Sequence, residues 1–345
     1  MLNYDVYKLC DWIRIGELDL RRFSESTNPE AMRLLKEEYP YFIEWDALSE
    51  NASPEALTLL QDNIHLIKWG RLSENRSIEA VELIKQNIDK LNKYDWFRLS
   101  SNPYPEAVKL LKEHKEKMSL SELASNPNPE AVELIQENLH RFDKFDWGWL
   151  STNTNPDALK LFEEHNQMDK MNWGWLSSNP SSYALHILKE HPHHIWWDRL
   201  SENPHPEAIK LLAENFDKID WNYLSSNPSA GALKILKENK EEIHWCSLSQ
   251  NPHPDAVKLL QENRDNIRWC YLCKNKNPDA FDLLKQNPDK IHWRYLSSNP
   301  NIFERDYIKM SEMRTRILLE DLMKNVLQPR RIIRFLELGG DMDDY

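Results

Sequence analysis

Residues 197–220 read WDRLSENPHPEAIKLLAENFDKID, and residues 221–244 read WNYLSSNPSAGALKILKENKEEIH. They are two copies of one frame, W-x-x-L-S-x-N-P-x-P-E-A-x-x-L-L-x-x-N-x-x-x-I-x, with a period of 24 residues. A fixed period in this range is the mark of a stacked repeat array. Working outward, the frame opens at Leu20, Trp45, Trp69, Trp96, Leu120, Trp147, Trp173, Trp197, Trp221, Trp245 and Trp269, with a partial unit at Trp293. The spacings are 25, 24, 27, 24, 27 and 26, then 24 to the end, so the second half is the more regular. The extra residues fall before Trp96, Trp147 and Trp173, which reads as a loop of variable length on one face.

Each unit reads as two helices. In NPHPEAIKLLAEN, Pro206 suits a first helical position and Glu207 the positive first turn, with His205 at the N-cap. Ala208, Leu211, Leu212 and Asn215 then recur at helical spacing. Lys210 and Glu214 lie opposite, and similar pairs such as Lys109 and Glu113 read as solvated faces. The shorter element carries Trp221 and Leu224 three apart, with Asp217 and Asp289 as candidate caps of its start, and it stops at Asn-Pro.

Composition sharpens the turn problem. There are 14 Trp but only 7 Gly, so Asn is expected to supply the turn geometry through the left-handed conformation it tolerates. One Asn column closes the short helix, at Asn51, Asn75, Asn102, Asn126, Asn153, Asn179, Asn203, Asn227, Asn251, Asn275 and Asn299. Another closes the longer helix in most units, with His114, His165 and His191 as replacements.

A lone 24-residue unit cannot repay its conformational entropy, so stability should reside between units. Leucine-rich repeats share the period, but their strand signature L-x-x-L-x-L is missing. The expected class is therefore all-α: an α-solenoid of about eleven to twelve short two-helix repeats. Residues 1–19 are read as an N-terminal cap, 20–307 as the array, and 308–345 as C-terminal capping helices with an acidic tail of Asp341, Asp343 and Asp344. About a dozen layers at helix-packing distance would make a rod or arc of roughly 100 Å.

A net charge of −12 argues against nucleic acid as a partner. No apolar run is long enough for a membrane span, and no signal peptide opens the chain, so a cytosolic setting is expected. Phosphate loops, nucleophile elbows and H-E-x-x-H are missing. No enzyme and no cofactor are read. Cys270-x-x-Cys273 has the spacing of a zinc half-site, and Cys246 stands one repeat before Cys270; these three cysteines are a minor zinc candidate.

The better signal lies two residues past each repeat-opening position: Ala47, Arg71, Arg98, Glu122, Trp149, Trp175, Arg199, Tyr223, Ser247, Tyr271 and Tyr295. The column varies, so the core does not dictate it, yet it is rich in the residue types of binding hot spots. Arg71, Arg98, Trp149, Trp175, Arg199, Tyr223, Tyr271 and Tyr295 are the partner-binding candidates, with the stretch from Trp149 to Tyr223 foremost. The reading is a non-enzymatic scaffold that binds a protein, host or viral, along the solenoid face. The alternative is a structural component of a virion or of a self-assembled lattice.

The viral terms come from a resemblance. The W-x-x-L-S-x-N-P units, the entry YKLCDWIRIGELDL (7–20) and the exit QPRRIIRFLELGGDMDDY (328–345) resemble a repeat family of the giant nucleocytoplasmic DNA viruses, the mimivirus-like group. The likeness covers nearly the whole chain. Departures are Leu20 and Leu120 for Trp, Ala124 and Cys273 for Ser, and the entry residues Cys10 and Arg14. That family carries no assigned activity, so the resemblance implies a viral origin, in the viral factory of the host cytoplasm or in the virion, and transfers no site.

Overall fold

The computed structural model describes residues 5–325 and 329–339. It is an all-α solenoid in which the unit is a short helix, a longer helix and a one-turn 3-10 helix. In the unit 197–220 these are Trp197–Glu202, Pro206–Glu214 and Phe216–Lys218. The long helix starts where Pro206 pre-sets the first turn and His205 Nδ1 accepts the Glu207 N–H at 3.1 Å. Ala208, Ile209 and Leu212 turn into the core. Asp217 and Asp289, expected to cap the short helices, lie instead inside the 3-10 turns. The short helix begins at the Trp itself in most units, and the residue before it caps it only where that residue is Asp220 or Asn172: Asp220 Oδ1 accepts from the N–H groups of Asn222 and Tyr223, both at 3.0 Å. The Lys rows pair three residues back or across units, as in Lys109–Glu106 at 2.6 Å and Lys112–Glu130 at 2.8 Å. These are exposed pairs of little energetic weight.

The asparagines do not work as expected. Asn203 has φ −72° and Asn215 φ −130°, and the only positive φ angles among the described residues are at Asn166 and Gly339. The side chains, not left-handed backbones, make the turns. Asn203 Nδ2 donates to the carbonyls of Ser177 and Asn179 in the preceding unit, both at 3.0 Å, while its Oδ1 accepts the His205 N–H at 3.0 Å. The same three bonds recur at Asn227, Asn251 and Asn275. A ladder of buried amides thus runs from Asn51 to Asn299. Each rung satisfies two carbonyls left over at a helix end. In the second column Asn215 Nδ2 donates back to the Leu211 carbonyl at 2.9 Å and closes the long helix.

A serine column runs beside this ladder. Ser201 Oγ donates to the Trp197 carbonyl at 2.7 Å and accepts, at 3.0 Å, the N–H of Asp220, the residue that leads into the next unit's short helix. The two 27-residue spacings do not enlarge a loop. They lengthen the short helix at its N-terminal end, to Lys93–Ser100 and Lys144–Leu150, each held by a capping box, Asn92 with Asp95 and Asp143 with Asp146.

The array has no free ends. β1 (Tyr7–Leu9) pairs antiparallel with β2 (Phe303–Arg305), in the register Tyr7 to Arg305 and Leu9 to Phe303. Cys10 N–H donates to the Ile302 carbonyl at 2.9 Å, and Asp306 N–H to the Val6 carbonyl at 2.8 Å. Trp12 packs on Phe281 and Trp293, with ring centroids 5.1 and 6.5 Å away, and Phe23 packs edge-on to Phe303. The Asp19 N–H donates to Ser297 Oγ at 2.8 Å. That is the serine bond of every regular interface, made here between the last unit and the first, because Asp19 precedes Leu20 as Asp220 precedes Trp221. The rod or arc read from the sequence is therefore a closed ring, and residues 5–19 bridge two units where a terminal cap was expected.

Closure fixes which wall is which. At most interfaces, though not between Lys144–Leu150 and Trp173–Ser178, neighbouring short helices approach each other more closely than neighbouring long helices do, so the short helices form the inner wall. Twelve units in one turn demand about 30° of rotation each. At a spacing of roughly 9 Å the inner helix axes trace a circle about 34 Å across. Subtracting one helix thickness leaves a bore of roughly 23 Å.

The chain then leaves the ring. Helices Tyr307–Asn325 and Pro329–Glu337 pack along no element of the solenoid. Met310 is the one side chain buried among their described residues. They do not cap the array, which has no open end to cap. The acidic residues Asp341, Asp343 and Asp344 lie outside the described residues.

Candidate protein-interaction surface

The column two residues past each repeat-opening position lies on the short helices, between the buried Leu and Ser that follow it and the half-buried Trp before it. It therefore runs round the inner wall, and its members meet one another in sectors.

In the first sector charges are matched within the protein. Arg71 pairs with Glu50 at 2.6 Å, Glu74 at 3.6 Å and Asp46 at 3.8 Å. Arg98 pairs with Glu74 and with the Tyr94 hydroxyl, its guanidinium lying 4.9 Å from the Tyr94 ring. Burial raises the carboxyl pKa of Glu122 above the usual range. Ala47 adds no functional group.

The middle sector is aromatic. Trp149 and Trp175 lie with ring centroids 4.7 Å apart, and Phe145 meets Trp149 edge-on at 6.2 Å. One glycine matters for this packing. Trp196 lies so close over Gly174 that a Cβ there would come within 3.1 Å of it, whereas a Cβ at Gly148 would meet Trp175 at 3.9 Å, an ordinary contact. Between them opens a groove of about 570 Å³, floored by Gly148, Met171 and Trp173 and flanked by Phe145, Trp175 and Trp196. Phe145 is 62% exposed and Trp196 55%, so two large apolar faces already stand open to solvent.

Beyond it, Arg199 lies 5.7 Å from the Tyr223 ring and pairs with Glu202 at 3.4 Å. Ser247 Oγ donates to Asn222 Oδ1 at 2.6 Å. At the far end Lys274 Nζ sits 4.4 Å from the Tyr295 ring and 6.0 Å from that of Tyr271. Each cation–π contact is worth about 0.5–1 kcal/mol at an exposed site.

The members of the column share the short helices but differ in what they offer. Arg71, Arg98 and Arg199 are engaged with neighbours in their own chain. Trp149 is largely taken up by Trp175, while Trp175 and Trp196 present the open groove. Trp196 and Phe145 stand outside the column and were not among the candidates. The one signal was the glycine one position past Trp173, over which Trp196 lies.

The cysteines are not brought together as a metal site. Cys273 takes the place of Ser in the buried column, where its sulfur accepts the His292 N–H at 3.4 Å. Burial pushes its thiol up to about 11. Cys246 and Cys270 are only partly buried. No cluster of three or more His, Cys, Asp or Glu suited to a metal ion occurs among the described residues. No described helix is long and apolar enough to cross a membrane.

No family model, no curated protein and no solved structure matches this chain.

Proposed function

We propose that the ring is a non-enzymatic scaffold that holds a protein partner against its inner wall, with the Trp175–Trp196 groove as the anchor. The observation that carries this is the pair of exposed rings, Trp196 and Phe145, with the Trp196 indole laid over Gly174. Nothing in the repeat frame demands them, and large exposed aromatics without a structural role mark contact surfaces. A bore of roughly 23 Å admits an extended segment or one helix, whose diameter is about 10–12 Å. The net charge of −12 supports a protein over a nucleic acid. The viral setting, host cytoplasm or virion, rests on the resemblance alone. A structural, self-assembled role is the second reading, favoured by the exposed apolar side chains Ile308, Leu318 and Leu319 of the helix Tyr307–Asn325.

Proximity labelling and cross-linking with the wild-type chain and with Trp175→Ala/Trp196→Ala would test the reading. The expected result is a partner cross-linked to the inner wall and lost in the double variant, with the helical signal unchanged. Cross-links that survive the double variant would place the contact elsewhere. A copy number in purified particles close to that of capsid protein would favour the structural role.

A further inference from the structure

Each interface between consecutive units carries an asparagine rung, from Asn51 to Asn299. The interface that closes the ring does not. Ser26 stands where later units have Asn, and its Oγ accepts the Asn28 N–H at 3.2 Å, as Asn203 Oδ1 accepts the His205 N–H. A hydroxyl has no second arm. Among the described residues, no side chain of the first unit donates to the carbonyls of Ser297 and Asn299, the counterparts of Ser177 and Asn179. The outer wall is thinner here as well. The last unit has no long helix, and β2 stands where one would begin, paired over three residues with β1. A strand pair of that length is marginal on its own.

The seam also differs in kind, because no peptide bond crosses it. Consecutive units are tied by the chain, which runs from a long helix through a 3-10 turn into the next short helix. They cannot part without unwinding a helix end. Across the seam every link is noncovalent: the strand pair, the packing of Trp12 on Phe281 and Trp293, and the bonds donated by the N–H groups of Cys10, Asp19 and Asp306. The partly exposed pairs Lys8–Glu304 and Asp5–Arg305 add little. In an array whose stability is a sum over interfaces, the one with the fewest ties opens first. We propose that the ring is a clasp that opens and recloses at this seam in the native state, β1 parting from β2 while the asparagine ladder stays whole.

The size of the bore gives such a clasp its use. A bore of roughly 23 Å passes one helix or an extended chain. It does not pass a 100-residue domain, whose radius of gyration is about 13 Å. A permanently closed ring therefore takes in a polypeptide only from a free end. A clasp takes in a segment from the side, even where folded domains stand at both of its ends. That use rests on the reading of the inner wall as a partner surface. The opening does not, and it is measured on the protein alone, so either can fail without the other.

The molecule carries its own standard for the measurement. The Asp19 N–H donates to Ser297 Oγ at 2.8 Å on the seam, and the Asp220 N–H donates to Ser201 Oγ at 3.0 Å away from it. Native-state hydrogen exchange of the full chain, with each rate corrected for its neighbours in sequence, should find Asp19 less protected by about 100-fold or more. Cys10 and Asp306 should match Asp19, because one opening frees all three. Lys8→Cys/Glu304→Cys joins residues paired across β1 and β2. Its oxidised form should bring all three amides to the protection of Asp220, and its reduced form should return them to the wild-type level. Ser26→Asn supplies the missing rung and should slow all three by about tenfold or more. Equal protection of Asp19 and Asp220 in the wild-type chain would overturn the clasp. So would an oxidised lock that leaves Asp19 fast, or three amides of unrelated protection, the mark of separate fraying. A Ser26→Asn chain that exchanges as the wild type does would overturn the part assigned to the missing rung.

Discussion

At the scale of single residues, the ring is held by side-chain amides where many solenoids rely on glycine. Asn203 is fully buried, and truncating it would orphan two carbonyls and one N–H. Asn203→Ala is therefore expected to cost roughly 3 kcal/mol or more, read from the midpoint of a denaturant titration. Ser201→Ala removes one donor and one acceptor, and should cost about 1–2 kcal/mol. The chain contains its own control for the smaller effect: Ala124 replaces the serine where the next unit is capped by Asp143 and Asp146 and makes no demand on it. The positions of these asparagines were legible in the sequence, but their mechanism was not. A column of Asn before Pro looks the same whether the backbone is left-handed or the side chain bridges units, because the difference lies in partners 24 to 29 residues away.

At the scale of the helix, the repeat Trp and the Leu three places on do unequal work. Leu224 is fully buried, whereas Trp221 is only partly so and rests edge-on against Phe216 at 5.2 Å. Leu224→Ala should cost roughly 3–5 kcal/mol and Trp221→Ala less, a ranking that parallel thermal melts would check. The groove makes a separate prediction. In Gly174→Ala the new Cβ would meet Trp196 at 3.1 Å, so the indole must give by a few tenths of an ångström. Its fluorescence should shift to the red, with little loss of stability, and a partner bound through Trp196 should be released. The stripe itself was visible from its variability, yet its division into matched charge and open aromatic surface was not. That division depends on which neighbours reach each other across units, as Arg71 reaches Glu50 and Arg98 reaches Glu74.

At the scale of the whole molecule, the unit was legible and the closure was not. The period states what one layer is, while curvature follows from small rotations that no single position encodes. The clue was local and easily misread: Asp19-Leu20 matches the Asp-Trp of later units, and Trp12 has no counterpart in the array. Trp12→Ala removes contacts with both Phe281 and Trp293. It is expected to enlarge the radius of gyration by small-angle scattering while most of the helical signal remains, because the interfaces between the other units do not pass through Trp12. The ion pairs at the seam, Lys8–Glu304 and Asp5–Arg305, are partly exposed, so raising salt should leave that radius unchanged.

A linear solenoid can gain or lose a repeat and remain the same kind of object, only longer or shorter. Here the seam must find itself after a full turn, so repeat number becomes an arithmetical constraint on the gene. Excision of residues 221–244, in phase and harmless to every remaining interface, would leave β1 and β2 out of register by the angle of one unit. The shortened chain should bind its own strands poorly and exchange them between molecules at high concentration. Moving the chain ends to the Asn-Pro turn of any unit, with residues 5 and 305 joined by a linker, should by contrast leave the circle intact. In this protein the number of repeats is fixed by geometry.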